Sequence, residues 1–94
     1  MKIEENKSWV LYILSCKDGT LYTGITNDLE KRLAAHSAGK GAKYTKGRGP
    51  FVLRYLEQCE DHSAALQREL QVKRLTRKEK EQLCENFTHR GDSA

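Results

Sequence analysis

The stretch VLYILSCKDGTLYTGI, Val10 to Ile25, limits the fold more than any other part of the chain. Two apolar runs rich in aromatic and β-branched residues flank Lys17-Asp18-Gly19. Runs of this kind read as strands, and a linker this short makes them a hairpin. Trp9 to Leu14 reads as a strand buried on both faces, with Thr20 to Thr26 as its partner. A three-residue loop puts Gly19 in the left-handed position of a bulge. The expected pairs are then Cys16 with Thr20, Leu14 with Tyr22 and Tyr12 with Gly24. In that register Tyr12, Tyr22 and Gly24 share one face, whereas a two-residue loop would separate the tyrosines. A glycine inside a strand marks either a bulge or a close approach by a ligand, which makes Gly24 a candidate substrate contact.

Beyond the hairpin, Asn27-x-x-Glu30 has the form of a capping box, and a helix is expected from Asp28 to about Ala38, ended by Gly39. Residues 39–50, GKGAKYTKGRGP, are glycine-rich, basic and aperiodic, and read as a loop. Phe51 to Gln58 alternates loosely and predicts a third strand. Asp61 or Ser63 caps a second helix running to about Arg74. Thr76-x-x-Glu79 opens a third, running to about Asn86. The expected order is β-β-α-β-α-α, an α+β fold with a small three-stranded, mainly antiparallel sheet flanked by helices. Residues 1–8 read as an N-terminal extension, 9–86 as a single domain and 87–94 as a flexible tail.

Composition narrows the class. With 94 residues, 37% hydrophobic and 32% charged, the chain supports one globular domain with a thin core. No run approaches the roughly 18 apolar residues of a membrane span, so no membrane role is expected. The start, MKIEENKSW, has no apolar signal-peptide core, and cytoplasm is the expected location. Cys16, Cys59 and Cys84 are odd in number and widely spaced, which disfavours disulfides and structural zinc. The formal net charge is +4, and its distribution matters more than its size. From Lys40 to Arg54 there are five basic residues and no acid. Lys40, Lys43, Lys46 and Arg48 therefore suit contacts to phosphates along a nucleic-acid backbone. The window matches neither glycine-rich nucleotide motif, so no small-molecule cofactor is expected. Nothing in the pattern sets an oligomeric state.

Charge also falls where the core should lie. In the first helix Leu29, Arg32, Leu33 and His36 follow the i, i+3, i+4, i+7 stripe. In the second, Leu66, Glu69, Leu70 and Lys73 do the same. Unpaired buried charge costs several kcal/mol, so these groups must have partners or reach a wet cleft. Glu69 and Lys73 also have the spacing of an ordinary i, i+4 helix pair. Together with two tyrosines on one face, they point to a functional cluster.

These residues resemble the GIY-YIG nuclease superfamily, and in particular its small stand-alone bacterial members, the YhbQ-like group. Val10-Leu11-Tyr12 and Tyr22-Thr23-Gly24 correspond to the two name-giving triplets, with Val10 standing where the first has glycine. TNDLEKRLAAH resembles the segment with the family's helix arginine, here Arg32. ALQRELQVKRL resembles the segment with its metal-binding glutamate, here Glu69. The resemblance implies metal-dependent hydrolysis of DNA phosphodiester bonds, sequence-tolerant or structure-selective, and by analogy a place in processing or repair of irregular DNA. Tyr12, Tyr22, Arg32 and Glu69 would be catalytic. Glu69 would hold Mg²⁺ or Mn²⁺ largely through waters, and His36 would contact phosphate. Either phenol is a candidate base, and ionising half of it at about pH 7.5 requires about 3.4 kcal/mol of local stabilisation. The same residues also suit a module that binds nucleic acid without cutting it.

Overall fold

The computed structural model describes residues 8–39 and 49–93. Strand β1 (Trp9–Ser15) pairs antiparallel with β2 (Leu21–Thr26) and with β3 (Val52–Cys59), giving the sheet order β2-β1-β3. Helix α1 (Leu29–Ser37) lies between β2 and β3 in sequence, and α2 (His62–Lys73) and α3 (Arg77–Ser93) follow β3. The expected order and the antiparallel three-stranded sheet are both observed. Among the described residues no helix is long and apolar enough to cross a membrane.

The hairpin closes as its loop chemistry requires. Gly19 has φ +88°, its amide donates to Cys16 O at 2.9 Å, and the Cys16 amide donates to Thr20 O at 2.8 Å. Asp18 Oδ1 accepts from the Thr20 amide at 3.1 Å and from its hydroxyl at 2.7 Å. The register follows: Leu14 faces Tyr22 and Tyr12 faces Gly24.

Alternation along β1 sorts the core into two layers. Leu11 and Ile13 face one way and, with Tyr55, Val72 and Cys84, form the cluster that α2 and α3 cover. Tyr12 faces the other way, toward α1. The register between β1 and β3 shifts between Ile13 and Leu14. All three cysteines are free thiols.

Three details differ from the sequence reading. The cap of α1 is Asp28, not Asn27, because its Oδ1 accepts from the Lys31 amide at 3.2 Å. In α2 the buried residues are Ala65 and Val72, while Leu66 and Leu70 are 43% and 57% exposed. Small side chains at positions seven apart let α2 lie close over the sheet, so its two leucines flank the contact instead of filling it. Helix α3 runs on to Ser93, past the expected end near Asn86. Its start behaves as expected: the Thr76 amide donates to Glu79 Oε1 at 2.9 Å and the Glu79 amide to Thr76 Oγ1 at 3.2 Å. Arg77 Nη2 also donates to Gly19 O at 2.7 Å, tying the start of α3 to the hairpin loop.

Candidate active site

Tyr12 stands in the middle of the central strand and is 0% exposed. Its hydroxyl shares a hydrogen bond of 3.0 Å with His36 Nε2, and His36 is itself only 1% exposed. The imidazole packs edge-on against Tyr22 (centroids 5.3 Å), Tyr12 (6.0 Å) and Phe51 (5.8 Å). The rings of Tyr12 and Tyr22 lie 6.3 Å apart. The two phenols therefore share a face, as the three-residue loop requires.

Gly24 makes this packing possible. A Cβ at position 24 would lie 2.6 Å from the Tyr12 hydroxyl oxygen, 2.8 Å from its Cζ and 3.0 Å from Tyr22 Cε2. The glycine gives its space to the two phenols. That is a correction to the sequence reading, in which the space was left for substrate.

Arg32 projects from α1 into this cluster. Hydrogen bonding to Tyr12, and also to Tyr22, raises its pKa above the ordinary arginine value despite burial. Its Nε is buried and has no hydrogen-bond partner among the described residues. A buried donor left unpaired costs roughly 1–3 kcal/mol, so this atom is a ready site for an acceptor oxygen. Arg32 also lines a hollow of about 320 Å³ together with Thr26, Asn27, Asp28, Lys31 and Ala35.

Burial sets the protonation of the inner pair. Desolvation raises the Tyr12 pKa, and the Tyr22 and Glu69 charges add to it, outweighing hydrogen bonding and attraction from Arg32. Desolvation lowers the His36 pKa, helped by the Arg32 charge. Tyr12 is therefore a neutral phenol and His36 a neutral imidazole near pH 7. The expected local stabilisation of a phenolate does not operate at Tyr12. His36, expected at a phosphate, instead lies beneath the surface against Tyr12.

Glu69 approaches from the other helical layer. Its charge bears on Tyr12, and its Oε2 lies 3.2 Å from Lys73 Nζ, the i, i+4 spacing seen in the sequence. The glutamate side chain is 18% exposed and that of Lys73 51%. Among the described residues no group of three or more His, Cys, Asp and Glu side chains could hold a metal ion. A lone carboxylate that still reaches water does not suit zinc, which takes three or four protein ligands. It does suit Mg²⁺ or Mn²⁺, which keep several waters and bind through one or two carboxylates and substrate phosphates.

The structure thus brings Tyr12, Tyr22, Arg32 and His36 into contact, while Glu69 reaches Tyr12 only through its charge. Tyr22 is half-buried and lines a second hollow with Leu21, Thr23, Lys73 and Lys80. Tyr12 does not reach solvent, whereas Tyr22 does. Lys40, Lys43, Lys46 and Arg48 lie outside the described residues. The sequence reading missed Phe51, whose ring closes over His36, because no local pattern distinguishes it from any other strand-leading aromatic.

Comparison with known proteins bears on the family and the fold. The family described as the GIY-YIG catalytic domain matches residues 8–82. A UPF0213 protein of Natronomonas pharaonis is 51% identical over 78 residues, covering 83% of this chain and 92% of the relative. A UPF0213 protein of Clostridium perfringens is 58% identical over 73 residues, covering 78% of each chain. Two solution NMR structures are similar. The UPF0213 protein BH0048 from Bacillus halodurans has TM-score 0.53 at 49% identity, covering 81% of each chain. The protein EF2693 from E. faecalis has TM-score 0.62 at 41% identity, covering 88% of each.

Proposed function

The chain belongs to the GIY-YIG family, in the small stand-alone UPF0213 group, and from that premise we propose that it is a metal-dependent endonuclease hydrolysing DNA phosphodiester bonds. The observation that carries this reading is the partnerless Nε of Arg32, a buried cationic donor set against two phenols. A phosphoryl oxygen has the charge and the lone pairs to satisfy it.

Each residue then has a task that its surroundings allow. Arg32 binds the phosphoryl group and stabilises the charge that grows on it during attack. Tyr22, the half-buried phenol, first releases its own proton to solvent; the phenolate then orients the attacking water and takes a proton from it. Tyr12, neutral and fixed by His36, accepts from the Arg32 guanidinium and so orients it, and does not act as base. Glu69 holds the divalent cation, which supplies Lewis-acid stabilisation of the leaving oxygen when bound. Lys40, Lys43, Lys46 and Arg48 would track the backbone of a sequence-tolerant or structure-selective substrate.

The test is a nicking assay on supercoiled, single-stranded and branched DNA with Mg²⁺, Mn²⁺ or EDTA. Metal-dependent nicking that is lost in Glu69→Gln and Arg32→Ala is the expected result. Nicking that persists at the wild-type level in Glu69→Gln would overturn the proposal.

A further inference from the structure

The hollow bordered by Lys73 and Lys80 is absorbed by none of the roles above. It measures about 370 Å³ and is lined by Leu21, Tyr22, Thr23, Lys73 and Lys80. That volume falls in the lower part of the roughly 300–1,000 Å³ range of small-ligand sites. Both charged residues in its wall are cationic, and they come from different helices, α2 and α3.

Three observations mark it as more than a solvated gap. Thr23 is 4% exposed and its Oγ1 is buried with no hydrogen-bond partner among the described residues. Among the described residues no ion pair involves Lys80. Lys73 is held at 3.2 Å by Glu69, so its charge is already drawn toward the candidate active site. The hollow thus offers an ammonium without an ion pair, a second ammonium on its rim and an unused hydroxyl in its wall. Tyr22 belongs to this wall and to the phenol cluster alike, so the two places share a boundary.

We infer that this hollow is a second phosphate seat, which takes a backbone phosphate of a nucleic-acid strand whose neighbouring phosphodiester lies at Arg32. The inference rests on the hydrolase reading for the identity of its ligand. The chemistry favours phosphate over carboxylate. Lysine is a common phosphate binder acting as a point charge, and ammoniums from two different helices can meet separate oxygens of one tetrahedral anion. The seat would fix the direction in which the strand crosses the β2 edge, and with it the bond presented for attack.

Binding of a fluorescein-labelled single-stranded oligonucleotide to the full chain in EDTA, followed by anisotropy across a salt series, tests the seat without cleavage. Lys80→Gln is expected to weaken binding several-fold and to make the slope of log K against log salt shallower by about 0.7, the value for one lost phosphate contact on a single strand. Lys80→Arg should restore both. Thr23→Val keeps the side-chain shape and removes the hydroxyl, and it should weaken binding without lowering the melting temperature. Unchanged affinity and slope in Lys80→Gln, or no binding by the wild type, would overturn the seat. Cleavage by the wild type alongside Lys80-independent binding would remove the seat and leave the hydrolase. Lys80-dependent binding by a wild type that never cleaves would keep the seat and remove the hydrolase.

Discussion

Tyr12 and His36 are separated by 24 positions in the chain, yet their polar tips meet at 3.0 Å inside the protein. Neither group carries charge at neutral pH, because burial opposes ionisation of both. The pair joins the central strand to α1 and holds the ring beneath Arg32 in place.

Stability should therefore depend on acid through His36. Its folded pKa lies below the unfolded value of about 6.5. Between the two values the unfolded chain binds more protons, so stability is full above about pH 6.5 and falls as the pH drops toward the folded pKa. Urea midpoints measured from pH 7.5 to 5 should decline in the wild type and decline less in His36→Gln. Parallel curves for the two proteins would show that His36 does not carry this dependence.

Gly24→Ala should damage the site more than the fold. The new methyl group meets the Tyr12 hydroxyl and ring, both held by packing, and must push them off His36. Overpacking of this kind costs about 1–3 kcal/mol. Urea unfolding should report a loss of that size, and nicking should fall well beyond the fraction unfolded. A variant as stable and as active as the wild type would show that the phenols have room to yield.

Arg32→Met separates function from stability. It retains much of the aliphatic length and deletes the orphan Nε, whose unpaired burial costs roughly 1–3 kcal/mol in the free protein. Nicking should fall by about 10²–10³ if the side chain stabilises the transition state. Loss of the bonds to Tyr12 and Tyr22 offsets removal of the unpaired Nε, so the unfolding midpoint should hold roughly steady, and a clear fall in it would assign Arg32 a mainly structural role.

Thr76→Ala removes the side chain that caps α3. A loss of about 1 kcal/mol in urea unfolding is expected. DNA binding should hold, since Thr76 lines neither hollow. If the loss is much larger, the contact between Arg77 and Gly19 O depends on the cap as well.

What the sequence disclosed follows the range of each interaction. Gly19, Asp18, Asp61 and Thr76 act on neighbours two to four residues away, so the hairpin register and two of three caps were readable from them. The α2 face was misread because the stripe rule weights large apolar side chains, whereas Ala65 and Val72 make the contact. The meeting of Tyr12 with His36 depends on how α1 lies on the sheet, which no local pattern encodes. The site itself was visible as charge on a supposedly apolar stripe at Arg32. Its reading as a nuclease centre came from resemblance, and the family match establishes the family to which that reading refers.

Among the described residues, the sheet order β2-β1-β3 places Tyr12 on the strand that has partners on both sides. Its phenol thus stands where amide hydrogens exchange last, and it keeps its position through any local opening that frees the edges. Tyr22, Arg32 and Glu69 sit on an outer strand and two helices around it. Adaptation to new substrates can proceed by altering those outer elements while the innermost phenol stays put.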